Sequence, residues 1–298
     1  MTMSWKGVLP AITTPFTKSL AVDHEFLARH AAWMIEHGAS GIVALGSLGE
    51  GATLSFEEKA AVLETLAGAL GRRTPLVAAV SALSTAEAVR LARTAERAGC
   101  RGLMILPPYV YSTDWREMKA HVAAVLRATG LSCMLYNNPI AYRTDFLPEQ
   151  VAELAEEFPQ LAAVKESSAD VRRVTAIRAL LGERLEVAVG VDDLIVEGID
   201  AGATGWVAGL VNALPVESAR LFALARAGKR AEARALYRWF LPLLRMDTVP
   251  KFVQLIKLCQ EVVGMGSGRV RPPRLALAGT ERRQALATIE AALAARPR

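Results

Sequence analysis

Residues 76–106 read LVAAVSALSTAEAVRLARTAERAGCRGLMIL, and this stretch decides the fold. The runs 76–81 and 102–106 are short and apolar, which is typical of strands buried on both faces. Between them, residues 85–98 repeat their apolar side chains at helical spacing, and Gly99 follows where a helix would end. A strand, a helix and a second strand of this kind predict a βα unit whose two strands run parallel.

The same alternation recurs eight times within the first 228 residues. It predicts an α/β fold, a (β/α)8 TIM barrel, as a catalytic domain of residues 1–228. An open doubly wound sheet is the alternative, but no glycine fingerprint follows the first strand. Residues 229–298 contain three more helical patterns and are expected to form a C-terminal helical extension. The expected strands are residues 8–14, 41–46, 76–81, 102–106, 133–137, 162–166, 187–190 and 205–209.

Composition narrows the class of protein. The chain has 298 residues, of which 52% are hydrophobic, enough for a large core. Every long apolar stretch is interrupted by a charge, Gly or Pro, and the first ten residues lack the charged and apolar segments of a signal peptide. We therefore expect a cytoplasmic protein that does not bind membranes. The formal net charge is +5, but the arginines are dispersed and interleaved with Glu, so we expect no nucleic-acid partner.

Neither the cysteines nor the histidines form a recognisable metal motif. Cys100, Cys133 and Cys259 are far apart and embedded in apolar runs, as small core residues are. The four histidines lie on helix-like segments at spacings that match no metal-binding motif. We therefore expect no metal and no cofactor.

Lys165 is the most informative single residue. It lies in the apolar run 161–167, LAAVKES, where an ammonium group would be taken out of water. Burial favours the neutral amine, which attacks carbonyl carbons. The alternative is a buried ion pair with Glu166 or another carboxylate. The remaining lysines, Lys257 included, are expected to reach solvent.

Other reactive side chains follow the strands at the end where barrel active sites form. Tyr136 ends the strand expected beside that of Lys165, and its phenol is a candidate proton carrier. Ser47, in the glycine-flanked turn 46–51, is a candidate hydroxyl relay, with Tyr109 as a further member. Glu50 is expected to hold that turn by bonding to neighbouring backbone, and Asp192 and Asp193 to cap the next helix.

Three motifs in this order, GSLGE at 46–50, YNNP at 136–139 and VKES at 164–167, resemble the dihydrodipicolinate synthase and N-acetylneuraminate lyase family. The resemblance implies a class I, Schiff-base enzyme for 2-oxo acids or related imines, usually a homodimer or homotetramer. It implies that Lys165 forms the imine, Tyr136 is the general acid/base, Ser47 is the relay, and Tyr109 crosses a subunit interface. The small-molecule substrate would bind the backbone of Ser47 and Leu48, with Asn138 and Gly190 also lining its site.

Two departures from the synthase pattern bear on the substrate. Leu48 stands where the synthases have a second threonine, and Ala141 where they have an arginine that holds a second carboxylate. Arg143, two positions further on, is the alternative holder of that carboxylate. With the C-terminal stretch 266–274, the chain is most similar to the 1-pyrroline-4-hydroxy-2-carboxylate deaminases of the family. That likeness implies a deaminase of hydroxyproline degradation. The alternative is a pyruvate-dependent aldolase or a sugar-acid dehydratase of the same family.

Overall fold

A computed structural model describes residues 3–108 and 114–297 of the chain. Within these residues, parallel strands form an eight-stranded sheet in the order β1-β8-β7-β6-β5-β4-β3-β2. A parallel bridge between Ala11 and Val43 joins its two outer strands, so the sheet closes into a barrel. The strands are β1 Gly7–Pro10, β2 Ile42–Ala44, β3 Leu76–Val80, β4 Gly102–Ile105, β5 Ser132–Asn137, β6 Leu161–Glu166, β7 Glu186–Val189 and β8 Gly205–Ala208.

Helices follow the strands and form the outer layer, which confirms the expected (β/α)8 TIM barrel. Ser55 and Glu58 form a capping box at the start of the second helix. The helices are α1 His24–Glu36, α2 Phe56–Leu70, α3 Thr85–Arg97, α4 Trp115–Arg127, α5 Pro139–Tyr142, α6 Pro148–Glu157, α7 Arg172–Leu181, α8 Ile195–Asp200, α9 Pro215–Arg226, α10 Arg230–Leu244, α11 Phe252–Val262 and α12 Gly279–Ala294. No helix within the described ranges is long and apolar enough to cross a bilayer.

The first strand is shorter than the sequence pattern suggests. It ends at Pro10, and the chain then rises towards the barrel mouth, where Thr13 bonds to other parts of the chain. Its N–H donates to Asn212 Oδ1 at 3.1 Å, and its hydroxyl donates to Gln260 Oε1 at 2.9 Å. The residues after β1 therefore belong to the rim of the barrel, where side-chain partners replace the sheet.

The C-terminal extension packs against this rim through α11, whose Gln260 bonds to Thr13, while α12 packs on α10 and α11. Arg271, in the segment between α11 and α12, donates to both carboxylate oxygens of Glu58 at 2.7 and 2.6 Å. Its guanidinium also lies 4.5 Å from the centre of the Phe16 ring. The extension is thus joined to the barrel at the end where the strand-end turns gather.

Candidate active site

Strand register places Lys165 and Tyr136 side by side. In the pairing of β5 with β6 the two residues are directly opposite, as are Lys165 and Ala188 in the pairing of β6 with β7. Directly opposite residues of neighbouring strands project to the same face, which here is the barrel interior. The Lys165 amine lies 4.2 Å from the centre of the Tyr136 ring.

Burial governs the charge of this amine. It lowers the pKa of Lys165 to about 8, against the opposing effect of negative charge on Asp247 and Asp192. The lowered pKa confirms the expectation from the sequence. An ion pair with Glu166 is excluded, because Glu166 lies on the other face of β6 and accepts from Asn137 Nδ2 at 3.1 Å and Ser168 N at 2.7 Å.

Tyr136 is held by Asn138. The side-chain amide of Asn138 donates to the Tyr136 hydroxyl at 2.9 Å, and its Oδ1 accepts from Ala141 N at 3.0 Å, which caps α5. Burial raises the pKa of Tyr136 to about 12, so the phenol keeps its proton at neutral pH. Asn138 therefore orients the phenol. A contact between Asn138 and substrate stays a prediction.

The partner of Ser47 is a residue that sequence reasoning missed. Its hydroxyl shares a short hydrogen bond with the hydroxyl of Tyr142, the last residue of α5. The Tyr142 ring packs edge-on against that of Tyr136, with centroids 5.8 Å apart. Asn138 followed by Pro139 is a helix-start signal that could have identified α5. It would not have shown that the Tyr142 side chain points towards Ser47. Tyr109, the other expected relay, lies outside the described residues.

Gly190 lies against the lysine side chain. A Cβ built at this position would be 2.8 Å from Lys165 Cγ and would overlap Lys165 Cε and Ser167 Oγ. Only glycine leaves room for the amine to occupy this place. Leu48 is buried, at 3% exposure, below the turn that carries Ser47. The predicted binding roles of Gly190 and of the backbone at Ser47 and Leu48 stay predictions.

The expectation that the remaining lysines reach solvent was wrong for two of them, the first being Lys59, which is 7% exposed. The second is Lys257. Its side chain is 2% exposed, its Nζ lies 2.5 Å from Glu50 Oε1, and it donates to Thr14 O at 2.8 Å. The other oxygen of Glu50 accepts from Arg271 N at 3.0 Å. Glu50 therefore ties the turn 46–51 to the C-terminal extension, and the expectation that it bonds its own turn was also wrong.

Asp192 does not cap a helix, contrary to expectation. Its carboxylate accepts from Trp206 Nε1 at 3.0 Å, Leu210 N at 2.9 Å and Gly209 N at 3.1 Å. Burial raises the pKa of Asp192 to about 6, although these donors favour the charged form. Asp247, which sequence reasoning also missed, brings a second buried carboxyl group to the same end of β8.

Comparisons with known proteins agree with this arrangement. A profile described as the Dihydrodipicolinate synthetase family matches residues 4–292. The chain is 33% identical over 278 residues to the 4-hydroxy-tetrahydrodipicolinate synthase of Geotalea uraniireducens, covering 92% of this chain and 94% of that protein. It is 33% identical over 290 residues to the protein of that name from Jannaschia sp., covering 97% of each. A crystal structure of dihydrodipicolinate synthase from Bacillus anthracis matches with a TM-score of 0.93, at 26% identity, over 100% of both chains.

Proposed function

Because this chain belongs to the Dihydrodipicolinate synthetase family, we propose that it is a Schiff-base enzyme whose nucleophile is the Lys165 amine. The observation that carries the proposal is the pairing of that buried amine with the Tyr136 phenol, 4.2 Å from nitrogen to ring centre. An amine whose pKa is lowered to about 8 is partly unprotonated at neutral pH. The reaction needs no metal or cofactor, since imine formation itself activates the carbon beside the carbonyl.

Proton transfer in this proposal runs through three hydroxyl groups. Tyr136 acts as general acid and base while the carbinolamine forms and collapses. Its proton is exchanged through Tyr142 and Ser47, whose hydroxyls are hydrogen-bonded to each other. The turn at Ser47 and Leu48 binds the substrate carboxylate through backbone N–H groups, and Gly190 leaves room beside the imine. Tyr109 from a partner subunit would join this relay in a homodimer or homotetramer.

The substrate we propose is 1-pyrroline-4-hydroxy-2-carboxylate, a cyclic imine. Ala141 has no group that could hold the second carboxylate of a synthase intermediate, and a substrate with one carboxylate fits this absence. Lys165 would add to C2, and the ring nitrogen would leave as an amine. Loss of the 4-hydroxyl as water, then hydrolysis, would give 2,5-dioxopentanoate and ammonia. In this scheme the barrel, residues 1–228, supplies the nucleophile, and the extension, residues 229–298, covers its mouth.

A second candidate is a pyruvate-dependent aldolase or a sugar-acid dehydratase. The relatives named 4-hydroxy-tetrahydrodipicolinate synthase, at 33% identity, favour carbon-carbon bond chemistry. Both candidates use the same amine and phenol, and they differ in what is released.

Borohydride trapping followed by mass mapping tests the nucleophile. We expect a reduced adduct on Lys165 with either pyruvate or the cyclic imine, and none in Lys165→Arg. Ammonia release from the cyclic imine supports the deaminase. Pyruvate as the only product, with sugar acids or oxo acids as substrates, would refute the deaminase and retain the Schiff base. An adduct on another lysine would refute both.

A further inference from the structure

The carboxyl group of Asp247 lies at the barrel mouth although it belongs to the C-terminal extension. Asp247 ends the short 3-10 turn Arg245–Asp247 that follows α10. Its carboxyl group rests on Gly209, directly after β8. A Cβ at Gly209 would be 2.8 Å from Asp247 Oδ2 and would overlap Oδ1. A residue with a side chain at position 209 would therefore exclude this carboxyl group from the site.

Two buried polar atoms near Lys165 lack a hydrogen-bond partner within the described part of the chain. They are Asp247 Oδ1 and Ser167 Oγ. The Ser167 hydroxyl lies beside the Tyr136 phenol and lowers its pKa. An unpaired buried polar group costs about 1–3 kcal/mol, so such groups are uncommon unless a ligand completes them. Two of them near the same amine indicate that a polar ligand bonds here.

Asp247 and Asp192 differ in their surroundings. Asp192 accepts hydrogen bonds from Trp206, Gly209 and Leu210, which stabilise its negative charge. Asp247 has no such donors at Oδ1, and it is close enough to Asp192 to be affected by that charge. Burial and the negative charge of Asp192 raise the pKa of Asp247 well above its usual range, against the opposing effect of Lys165. Of the two carboxyl groups, Asp247 is the one suited to donate a proton.

The two proton carriers approach Lys165 from different sides of the barrel. Tyr136 lies on β5, the strand before that of Lys165, whereas Asp247 rests on the end of β8, beyond β7. We propose that Asp247 is a further catalytic residue, the acid that protonates the departing 4-hydroxyl of the substrate. This inference rests on the proposed deaminase function, and it assigns Tyr136 to the chemistry at C2 and Asp247 to that at C4.

The 4-hydroxyl group leaves the substrate by elimination of water. After ring opening, the substrate is an iminium on Lys165, and a base removes a C3 proton to give the enamine. The enamine electron pair forms the C3–C4 double bond as the C4–O bond breaks, and the iminium is regenerated. The Asp247 proton moves to the departing oxygen, which leaves as water. Loss of a C5 proton and protonation of C3 then move the double bond to C4–C5, and protonation of C4 converts this enamine into an iminium at C5. Water adds to that iminium, ammonia leaves, and a proton of the added water returns to Asp247.

Asp247→Asn tests this assignment, with Asp193→Asn as the matched control. Asp193 is a neighbouring rim carboxylate, 3.5 Å from Arg245 Nε. In Asp247→Asn we expect borohydride trapping of pyruvate at the wild-type level and ammonia release from the 4-hydroxylated cyclic imine about 100-fold slower or more. The adduct trapped with that substrate should be ring-opened and should still carry its hydroxyl group. Its mass should exceed that of the dehydrated adduct by one water molecule. Asp193→Asn should release ammonia within about twofold of wild type, as expected for loss of a partly exposed ion pair with Arg245.

Gly209→Ala provides a second variant, since it displaces the Asp247 carboxyl group without changing it. We expect the same hydroxylated adduct to accumulate. Ammonia release at the wild-type rate in Asp247→Asn would overturn the inference, and so would loss of pyruvate trapping, which would mean that Asp247 acts on Lys165 itself. Failure of the proposed function is a different result: the wild-type enzyme would trap pyruvate but release no ammonia.

Discussion

Tyr136 and Lys165 are exact register partners in the pairing of β5 with β6, and the Lys165 amine lies 4.2 Å from the centre of the Tyr136 ring. Backbone hydrogen bonds of the barrel fix this spacing, so it does not depend on the conformation of a loop. Sites built on strands are held more closely than sites built on loops. The proposed nucleophile and its proposed proton carrier are therefore in place before any substrate arrives.

The rate of adduct formation should depend on pH through Lys165. Burial lowers the pKa of this amine to about 8, and only the unprotonated form attacks a carbonyl. We expect the rate of trapping with pyruvate to rise with pH and to level off above a midpoint near 8. A midpoint above about 10, the value of an ordinary lysine, would show that the amine is not desolvated. Stopped-flow or quenched trapping across this range is the measurement.

Removal of the Tyr142 hydroxyl should slow proton transfer. In Tyr142→Phe the ring packing against Tyr136 is kept, but the hydrogen bond to Ser47 is lost. We expect kcat to fall about 100-fold or more with little change in KM, because general acid–base catalysis contributes on this scale. Tyr109→Phe is the comparison. If only Tyr109→Phe lowers kcat, the relay comes from that residue and the role of Tyr142 is structural.

Gly190→Ala should abolish activity at a moderate cost in stability. The added methyl group overlaps Lys165 Cε and Ser167 Oγ, so the amine must move. We expect overpacking to lower the free energy of unfolding by about 1–3 kcal/mol, and trapping at Lys165 to fall below detection. Gly68→Ala is the control, because nothing lies within 4 Å of its Cβ position on α2. That change should leave activity intact and raise stability by about 0.5–1 kcal/mol.

Loss of Lys257 should destabilise the whole protein. Lys257→Met leaves the Glu50 carboxylate, which is 0% exposed, without its cation. Breaking a buried ion pair costs about 3–5 kcal/mol, measured as the free energy of unfolding in urea. The double variant Glu50→Gln with Lys257→Met should recover part of that loss. A double variant destabilised by the sum of the two single changes would mean that the charges are not coupled.

Much of the fold could be predicted from the sequence, because buried strands and amphipathic helices have distinct periods. The strand expected at 76–81 is found at Leu76–Val80, and the helix expected at 85–98 is found at Thr85–Arg97. The end of β1 could not be predicted, since Thr13 and Thr14 are buried although they follow the strand and the bridge at Ala11. Apolar composition reports burial and does not distinguish a strand from a rim segment.

Only those site residues could be predicted whose unusual setting is visible within one strand of the sequence. Lys165 stood out because an apolar strand has no place for a charge. Lys257 did not, because a lysine on a helix is normally solvated, and its partner Glu50 is 207 residues away in the chain. Asp247 and Tyr142 were missed for the same reason, since their neighbours in space come from elements far apart in sequence. Pairing across such distances leaves no periodic signal in one chain.

The ion pair between Glu50 and Lys257 also sets an order in time during synthesis. Glu50 belongs to the second βα unit, but its counter-charge is made on α11, after all eight strands have been translated. A nascent barrel thus carries its reactive amine before the turn beside Ser47 has been locked and before Asp247 has reached Gly209. The helix that supplies the cation follows the barrel strands in the sequence, so a chain that terminates before α11 would leave the Glu50 carboxylate without its partner.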